Sequence, residues 1–383
     1  MKALTLSADW VPKHGYDLTA SERVLRRPRN ANMVWRSPRL ALGDAPDPSL
    51  LPDQVMLEIA AVGICGSDMH MYEADADGYM VYPGLVCAPN ILGHEFAGRV
   101  IEVGKAVRDL RVGDLVAVEE IQWCGECTAC RRGFVNHCLD IEEIGFTING
   151  AMAQYLPVRA RYCWKLDEIA EAYGEAEALV MGAMVEPTGV SYQGLFNRLR
   201  NWQPGGNVVI FGAGPIGLAA EALIIAAGAG RVIVFDPSAS RRDIAMKMGA
   251  SAALDPIGVD LDAAIMQHTL GRGVDYVVEC AGFADKTIEP LDRCLAVNAS
   301  IIDIGMGGEN PTVPIVAYKR MGVQYAGSLG HAGGPFQQVI RMMAAGRIDM
   351  RQMVSARMPL DDAVAAFKRL ESRQDAKIIL QPN

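Results

Sequence analysis

Residues 207–217 read Asn207-Val208-Val209-Ile210-Phe211-Gly212-Ala213-Gly214-Pro215-Ile216-Gly217. The first five form a short continuous apolar run, the pattern of a parallel strand buried on both faces. The next six match GxGxxG, and a helical stretch continues over 215–227. The glycine pattern is weak alone, but between a strand and a helix it predicts a dinucleotide-binding turn. Gly212 permits the tight turn, Gly214 lets a pyrophosphate approach the backbone, and Gly217 allows close helix–strand packing. Pro215 and Ile216 open the helix, whose N-terminal amides offer donors and partial positive charge to phosphate. A second strand, Arg231–Phe235, leads into Asp236, twenty-two residues after Gly214. A carboxylate there can accept from both ribose hydroxyls and repels a 2′-phosphate, so NAD is the expected cofactor. Arg241 and Arg242 follow closely enough to soften that repulsion. The bland competitor is a glycine-rich turn with a helix-capping Asp.

Outward from this segment, strand-like runs at Val274–Glu279, 300–304 and 323–326 alternate with helical stretches. Such alternation predicts a doubly wound parallel sheet. The apolar stretch at 218–229 is interrupted by Glu221 and Gly228. The tail has an amphipathic helix at 360–370 and a strand at 376–380 and is expected to return to the N-terminal part. That part, about 190 residues, has short alternating runs at 54–62, 97–103 and 115–119, separated by Gly, Pro and Asp. It reads as an irregular β-rich domain. The fold class is therefore α/β, a β-rich domain joined to a doubly wound parallel sheet.

With 383 residues, two domains are expected. The formal charge of −9 excludes nucleic acid and anionic membrane surfaces as natural partners, since both call for basic patches. The start, MKALTLSADW, has no apolar core of a signal peptide, and no run reaches the ~18 residues of a membrane span. A cytoplasmic location is the expectation. Nine cysteines, four of them within fifteen residues, point to metal rather than disulfides.

Those four, Cys124-x2-Cys127-x2-Cys130-x7-Cys138, can close a tetrahedron around Zn²⁺ with every position filled by protein. Such a site staples a lobe with little apolar core. A nucleic-acid-binding zinc knuckle is the other functional reading, and the acidic charge counts against it. A second candidate set is dispersed: Cys65 in Gly63-Ile64-Cys65-Gly66-Ser67-Asp68-Met69-His70, His94-Glu95 after Gly93, and Glu186 in Val185-Glu186-Pro187. A thiolate, an imidazole and a carboxylate leave Zn²⁺ an open position for water or a substrate oxygen. Taken singly, Cys65 reads better as a buried core thiol and His94 as a satisfied core histidine.

These motifs, in this order, resemble the zinc-containing medium-chain dehydrogenase/reductase family in its polyol dehydrogenase branch, over nearly the whole chain. The resemblance implies a GroES-like catalytic domain over 1–190 and 341–383, with a structural zinc lobe at about 120–140. It implies a Rossmann domain over 191–340 and an active site in the cleft between them. It makes Cys65, His94 and Glu95 ligands of a catalytic zinc, and Glu186 a ligand either directly or through the metal's water. It gives Ser67 the bond to the substrate oxygen, His70 the onward proton transfer, and Asp68 the support of the imidazole ligand. Two zinc ions per chain and NAD are the implied cofactors. The arginine-rich segment with Arg23, Arg26, Arg27, Arg29, Arg36 and Arg39, and the stretches 77–84 and 327–331, are similar to scyllo-inosose dehydrogenases, a cyclitol-oxidising subgroup.

The leading functional expectation is reversible oxidation of a secondary hydroxyl on a cyclitol or related polyol. A sorbitol- or threonine-type dehydrogenase acting on a linear substrate is the alternative. A non-catalytic NAD-binding zinc protein is a third reading. The acid- and phenol-rich segment 71–79 is expected to supply the pocket's hydrogen bonds, with the arginine-rich segment closing over it. The family resemblance, with an exposed edge strand near 300–304, suggests a homodimer or homotetramer.

Overall fold

The computed structural model describes residues 1–383 except 200, 292, 309 and 332. Its six-stranded sheet is parallel throughout, in the order Ala252–Leu254, Arg231–Phe235, Asn207–Phe211, Val274–Glu279, Leu295–Asp303, Gln324–Gly327. The Asn207–Phe211 strand sits near the middle because both faces of it are apolar. Val208 and Ile210 enter one core and Val209 and Phe211 the other. Each such side chain contributes about 1.5–3 kcal/mol by leaving water. Phe211 and Phe235 stack at 5.2 Å, which ties the first two strands together.

The other large sheet has seven strands, mostly antiparallel. Its central strand, Gln54–Gly63, pairs along one edge with Glu95–Val103. Along its other edge lie Tyr155–Arg159 and, at the far end, Lys377–Gln381. The chain thus leaves this sheet after Cys163–Lys165, builds the parallel sheet, and returns with its last strand to lie beside Gln54–Gly63. The helices Glu175–Ala183 and Val185–Tyr192 pack in the core shared by the two sheets, with Met181, Val185 and Ile210 in one cluster.

One expectation needs correcting. The strand containing 300–304 is not an edge: Leu295–Asp303 is flanked by Val274–Glu279 and Gln324–Gly327. The free edge on that side is Gln324–Gly327, a run that reads as a strand in the sequence. Strand order depends on long-range pairing, which periodicity does not carry. Among the described residues no helix is long and apolar enough to cross a membrane.

Candidate active site

Two antiparallel neighbours bring the dispersed metal-binding residues together. Gly63 lies opposite Glu95 in the register of Gln54–Gly63 with Glu95–Val103. Cys65, just past one strand, and His94, just before the other, therefore meet at the same end of the sheet. Gly63 is needed there, because a Cβ would lie 2.2 Å from Glu95 Oε2. Cys65 caps the helix Gly66–Tyr72, and Asp68 Oδ2 accepts the Cys65 backbone N–H at 2.9 Å. That short helix presents Ser67 and His70 to the same space.

His94 Nε2 stands 3.2 Å from Ser67 Oγ, and its Nδ1 stands 3.5 Å from Asp68 Oδ1. Ligand atoms of Cys65, His94 and Glu95 all lie within 4.8 Å of one another. Glu95 Oε2 pairs with Lys377 Nζ at 2.5 Å, and Nζ also donates to the Ile64 carbonyl at 3.1 Å. Both side chains of this pair are fully buried. Lys377 escaped the sequence reading; a lysine opening the apolar run Lys377-Ile378-Ile379-Leu380 was the available signal. Glu95 Oε1 has no hydrogen-bond partner among the described residues.

Glu186, in the first turn of Val185–Tyr192, falls in a second cluster with Glu120 and His331, again with ligand atoms within 4.8 Å. Burial, then the charges of Glu120 and Glu95, push the Glu186 carboxyl well above its usual range. Buried acids (Asp68, Glu95, Glu120, Glu186) outnumber the buried bases Lys377, His94 and His331 at this spot. A divalent cation is the component such a donor set lacks, and a thiol, an imidazole and carboxylates suit Zn²⁺.

Cys65, His94, Glu120 and Glu186 border a cavity of about 590 Å³ that also reaches Ser67, His70 and Gly214. Burial lowers the His70 pKa from its ordinary value. The segment 71–79 does not line the cavity, contrary to expectation. Its acids are spent on other segments: Glu73 on Arg373 at 2.6 Å and Asp75 on Lys13 at 2.9 Å. The cavity's carboxylates are instead Glu120, Glu143 and Glu186. Burial, followed by Glu120, pushes Glu143 up to about 7. The arginine-rich segment does reach the cavity, through Arg29. Glu120 and Glu143 carry no motif, only the two acids after the apolar Leu115–Val118 strand hint at Glu120, and His331 is marked only as the end of the 327–331 stretch.

On the cofactor side, Gly212 adopts φ +93°, a conformation that favours glycine. A Cβ on Gly217 would lie 1.7 Å from the Gly212 carbonyl oxygen. Gly214, Pro215, Ile216 and Arg241 line the cavity. Asp236 is buried and accepts from the backbone N–H groups of Ala213 and Ser238, each at 2.8 Å. Arg241 Nε and Nη2 donate to the Asp375 carbonyl at 3.0 and 2.7 Å. Arg242 Nη1 donates to the carbonyls of Asp236 and Pro237.

The four cysteines form a third cluster, and Asn136, His137 and Cys138 of their lobe also border the cavity. Cys124, Cys127, Cys130 and Cys138 have their sulfurs within 4.8 Å of one another. Backbone N–H groups of Glu126 and Cys127 point at Cys124 Sγ, and those of Cys130 and Leu139 at Cys127 Sγ, at 3.3–3.5 Å. The Cys130 and Leu139 amides hold Cys127 down at about 6. Burial pushes Cys130 up to about 12 and Cys138 upward, so Cys124 and Cys127 are the thiols favoured as thiolates, and the four gathered sulfurs form a donor set that suits Zn²⁺.

Residues 51–168 match the alcohol dehydrogenase GroES-like domain, and residues 215–345 match the zinc-binding dehydrogenase domain. The chain belongs to the zinc-binding alcohol dehydrogenase family. It is 35% identical to scyllo-inosose 3-dehydrogenase of Thermotoga maritima, over 97% of each chain. It is 31% identical to a probable D-xylulose reductase A of Aspergillus clavatus, over 92% of this chain and 97% of that one. A provisionally assigned alcohol dehydrogenase of Thermotoga maritima superposes with a TM-score of 0.94 at 34% identity, over 99% of each chain. The chain is thus an oxidoreductase with the GroES-like and Rossmann-type architecture, and zinc and a nicotinamide nucleotide are the cofactors of its family.

Proposed function

We propose that this chain oxidises one secondary hydroxyl of a cyclitol or related polyol to a ketone, reversibly, with NAD as hydride acceptor. The observation that carries this reading is the cavity itself. It joins the Cys65/His94 cluster to the Gly212–Gly217 turn, and three carboxylates, Glu120, Glu143 and Glu186, stand in its wall. Such a wall suits a substrate with several hydroxyls and discriminates against one without them.

In this reading Cys65, His94 and Glu95 hold the catalytic zinc, Glu95 being balanced by Lys377, and Glu186 joins them directly or through the metal's water. Cys124, Cys127, Cys130 and Cys138 hold the structural zinc. When bound, the catalytic metal lowers the pKa of the substrate hydroxyl, and the nicotinamide accepts the hydride. Asp68 fixes the His94 ring by standing beside Nδ1. Ser67 takes the hydroxyl proton, and His70, which lines the same cavity and whose pKa burial lowers, carries a proton on. Gly212, Gly214, Pro215, Ile216 and Gly217 would hold the cofactor's phosphates, with Arg241 lining the cavity beside this turn, and Asp236 would accept from the ribose hydroxyls. Donors of Arg241 and Arg242 are already committed to carbonyls, which favours NAD over NADP.

The catalytic domain then comprises 1–190 and 341–383 with its zinc lobe near 120–140, and the cofactor domain 191–340. The enzyme works in the cytoplasm as a homodimer or homotetramer. A second reading, oxidation of a linear polyol, is favoured by the similarity to D-xylulose reductase A. The deciding measurement is kcat/KM for scyllo-inosose, myo-inositol, an aminocyclitol, sorbitol, threonine and ethanol, with NAD and with NADP. A cyclitol should lead. A linear substrate ahead by tenfold or more would replace the first reading with the second.

A further inference from the structure

We propose that Glu120 binds a second hydroxyl of the substrate, next to the one oxidised, and that His331 is the positioning residue that holds Glu120 for this task. The inference rests on the polyol reading above and assigns its specificity to a pair that spans the two domains.

Glu120 stands between the strands Leu115–Val118 and Ile121–Gln122 of the N-terminal part, and it faces the cavity. His331 follows the last strand of the parallel sheet, Gln324–Gly327. His331 Nε2 and Glu120 Oε2 are 2.5 Å apart, and both side chains are more than nine-tenths buried. Three contacts fix the loop that delivers the imidazole. The His331 ring packs on Phe336 with centroids 4.8 Å apart. Asn136 Nδ2, from the cysteine lobe, donates to the Leu329 carbonyl at 2.8 Å. Gly330 lets the loop approach Ile121, since a Cβ there would lie 2.6 Å from Ile121 Cδ1.

A carboxylate has about four acceptor positions, and one imidazole N–H uses only one of them. The remaining capacity of Glu120 opens toward the cavity. Glu186 is its immediate neighbour, with ligand atoms of Glu120, Glu186 and His331 all within 4.8 Å. A substrate oxygen bound beside Glu186 therefore places the hydroxyl on the adjoining carbon, rather than a distant one, within reach of Glu120. If that hydroxyl is missing, a buried charge is left short of a partner, which is how a polar site rejects a deoxy analogue. Because the carboxylate comes from one domain and its holder from the other, the site is complete only when both are in place.

The test compares an inositol that the enzyme oxidises with its monodeoxy analogue lacking the neighbouring hydroxyl, using full-length wild-type, Glu120→Ala and His331→Asn enzymes with NAD. Wild type should prefer the inositol by at least tenfold in kcat/KM. Glu120→Ala should erase that preference by losing about 10–100-fold on the inositol and little on the analogue. His331→Asn keeps the carboxylate and should raise KM for the inositol about tenfold, with a smaller change in kcat. Zinc content should stay at the wild-type value in both. Equal losses on both substrates, an unchanged preference, or loss of zinc in either variant would overturn the proposal. A wild-type enzyme that oxidises no polyol would instead sink the functional reading beneath it.

Discussion

At the residue scale, Cys65 separates catalysis from folding. It sits at a helix start beside His94 and far in role from the four-cysteine lobe. Cys65→Ser should lower kcat by about 10³-fold or more, the effect expected from losing several kcal/mol of charge stabilisation. The variant should stay folded with about one zinc per chain, by metal analysis of the purified protein. Two zincs and wild-type turnover would show that Cys65 is not a ligand. In the proposed reading Asp236 governs cofactor choice in the same local way. Asp236→Ser removes the charge that repels a 2′-phosphate and should move the NAD/NADP ratio of kcat/KM toward NADP by at least tenfold. Equal use of both cofactors by the unaltered enzyme would contradict this role. Both residues stand out as candidates in the sequence because each belongs to a short motif whose chemistry is local. Lys377, Glu120 and His331 do not, because their roles come from partners 282 and 211 positions away.

At the element scale, the helix Pro215–Ala226 carries a cost. Glu221 is fully buried in it, and neither carboxyl oxygen has a hydrogen-bond partner among the described residues. Burial pushes its pKa up to about 8 from 4.5. The unfolded chain therefore releases this proton at a lower pH than the folded chain does. The group's contribution to stability is flat below about pH 4.5 and falls as pH rises toward 8. Glu221→Gln mimics the protonated acid and removes that loss. It should match wild type near pH 5 and exceed it at pH 8 by on the order of 2–4 kcal/mol in urea unfolding. A difference that does not change with pH would exclude a titrating Glu221. In the sequence this residue marks only a break in an apolar stretch. Its full burial arises because the helix is covered on that face too, which periodicity alone does not reveal.

At the scale of the whole molecule, the parallel sheet ends in two edge strands, Ala252–Leu254 and Gln324–Gly327, and the second bears on assembly. Tyr325 on it is partly exposed, and Val297, Ile315 and Val316 nearby in the chain are largely exposed. A strand edge with apolar neighbours invites pairing with a second copy. Sedimentation at micromolar concentration should give a dimer or tetramer, and Tyr325→Lys should shift it toward monomer. A wild-type monomer would rule the assembly out.

The sequence by itself determined the parallel sheet and the dinucleotide turn, because a buried strand, a glycine turn and a helix are all specified within eleven residues. It also determined the four-cysteine lobe, whose ligands share one loop. Tertiary structure alone decided three things. The register of Gly63 opposite Glu95 brought Cys65 to His94. The return of the last strand buried Lys377 against Glu95. The docking of the 327–331 loop on the cysteine lobe placed His331 on Glu120, and so chose which carboxylates face the cavity instead of those in 71–79. The physical reason is the same in each case. A local motif is written in neighbours along the chain, whereas a buried charge finds its partner through strand pairing and packing between segments far apart in sequence.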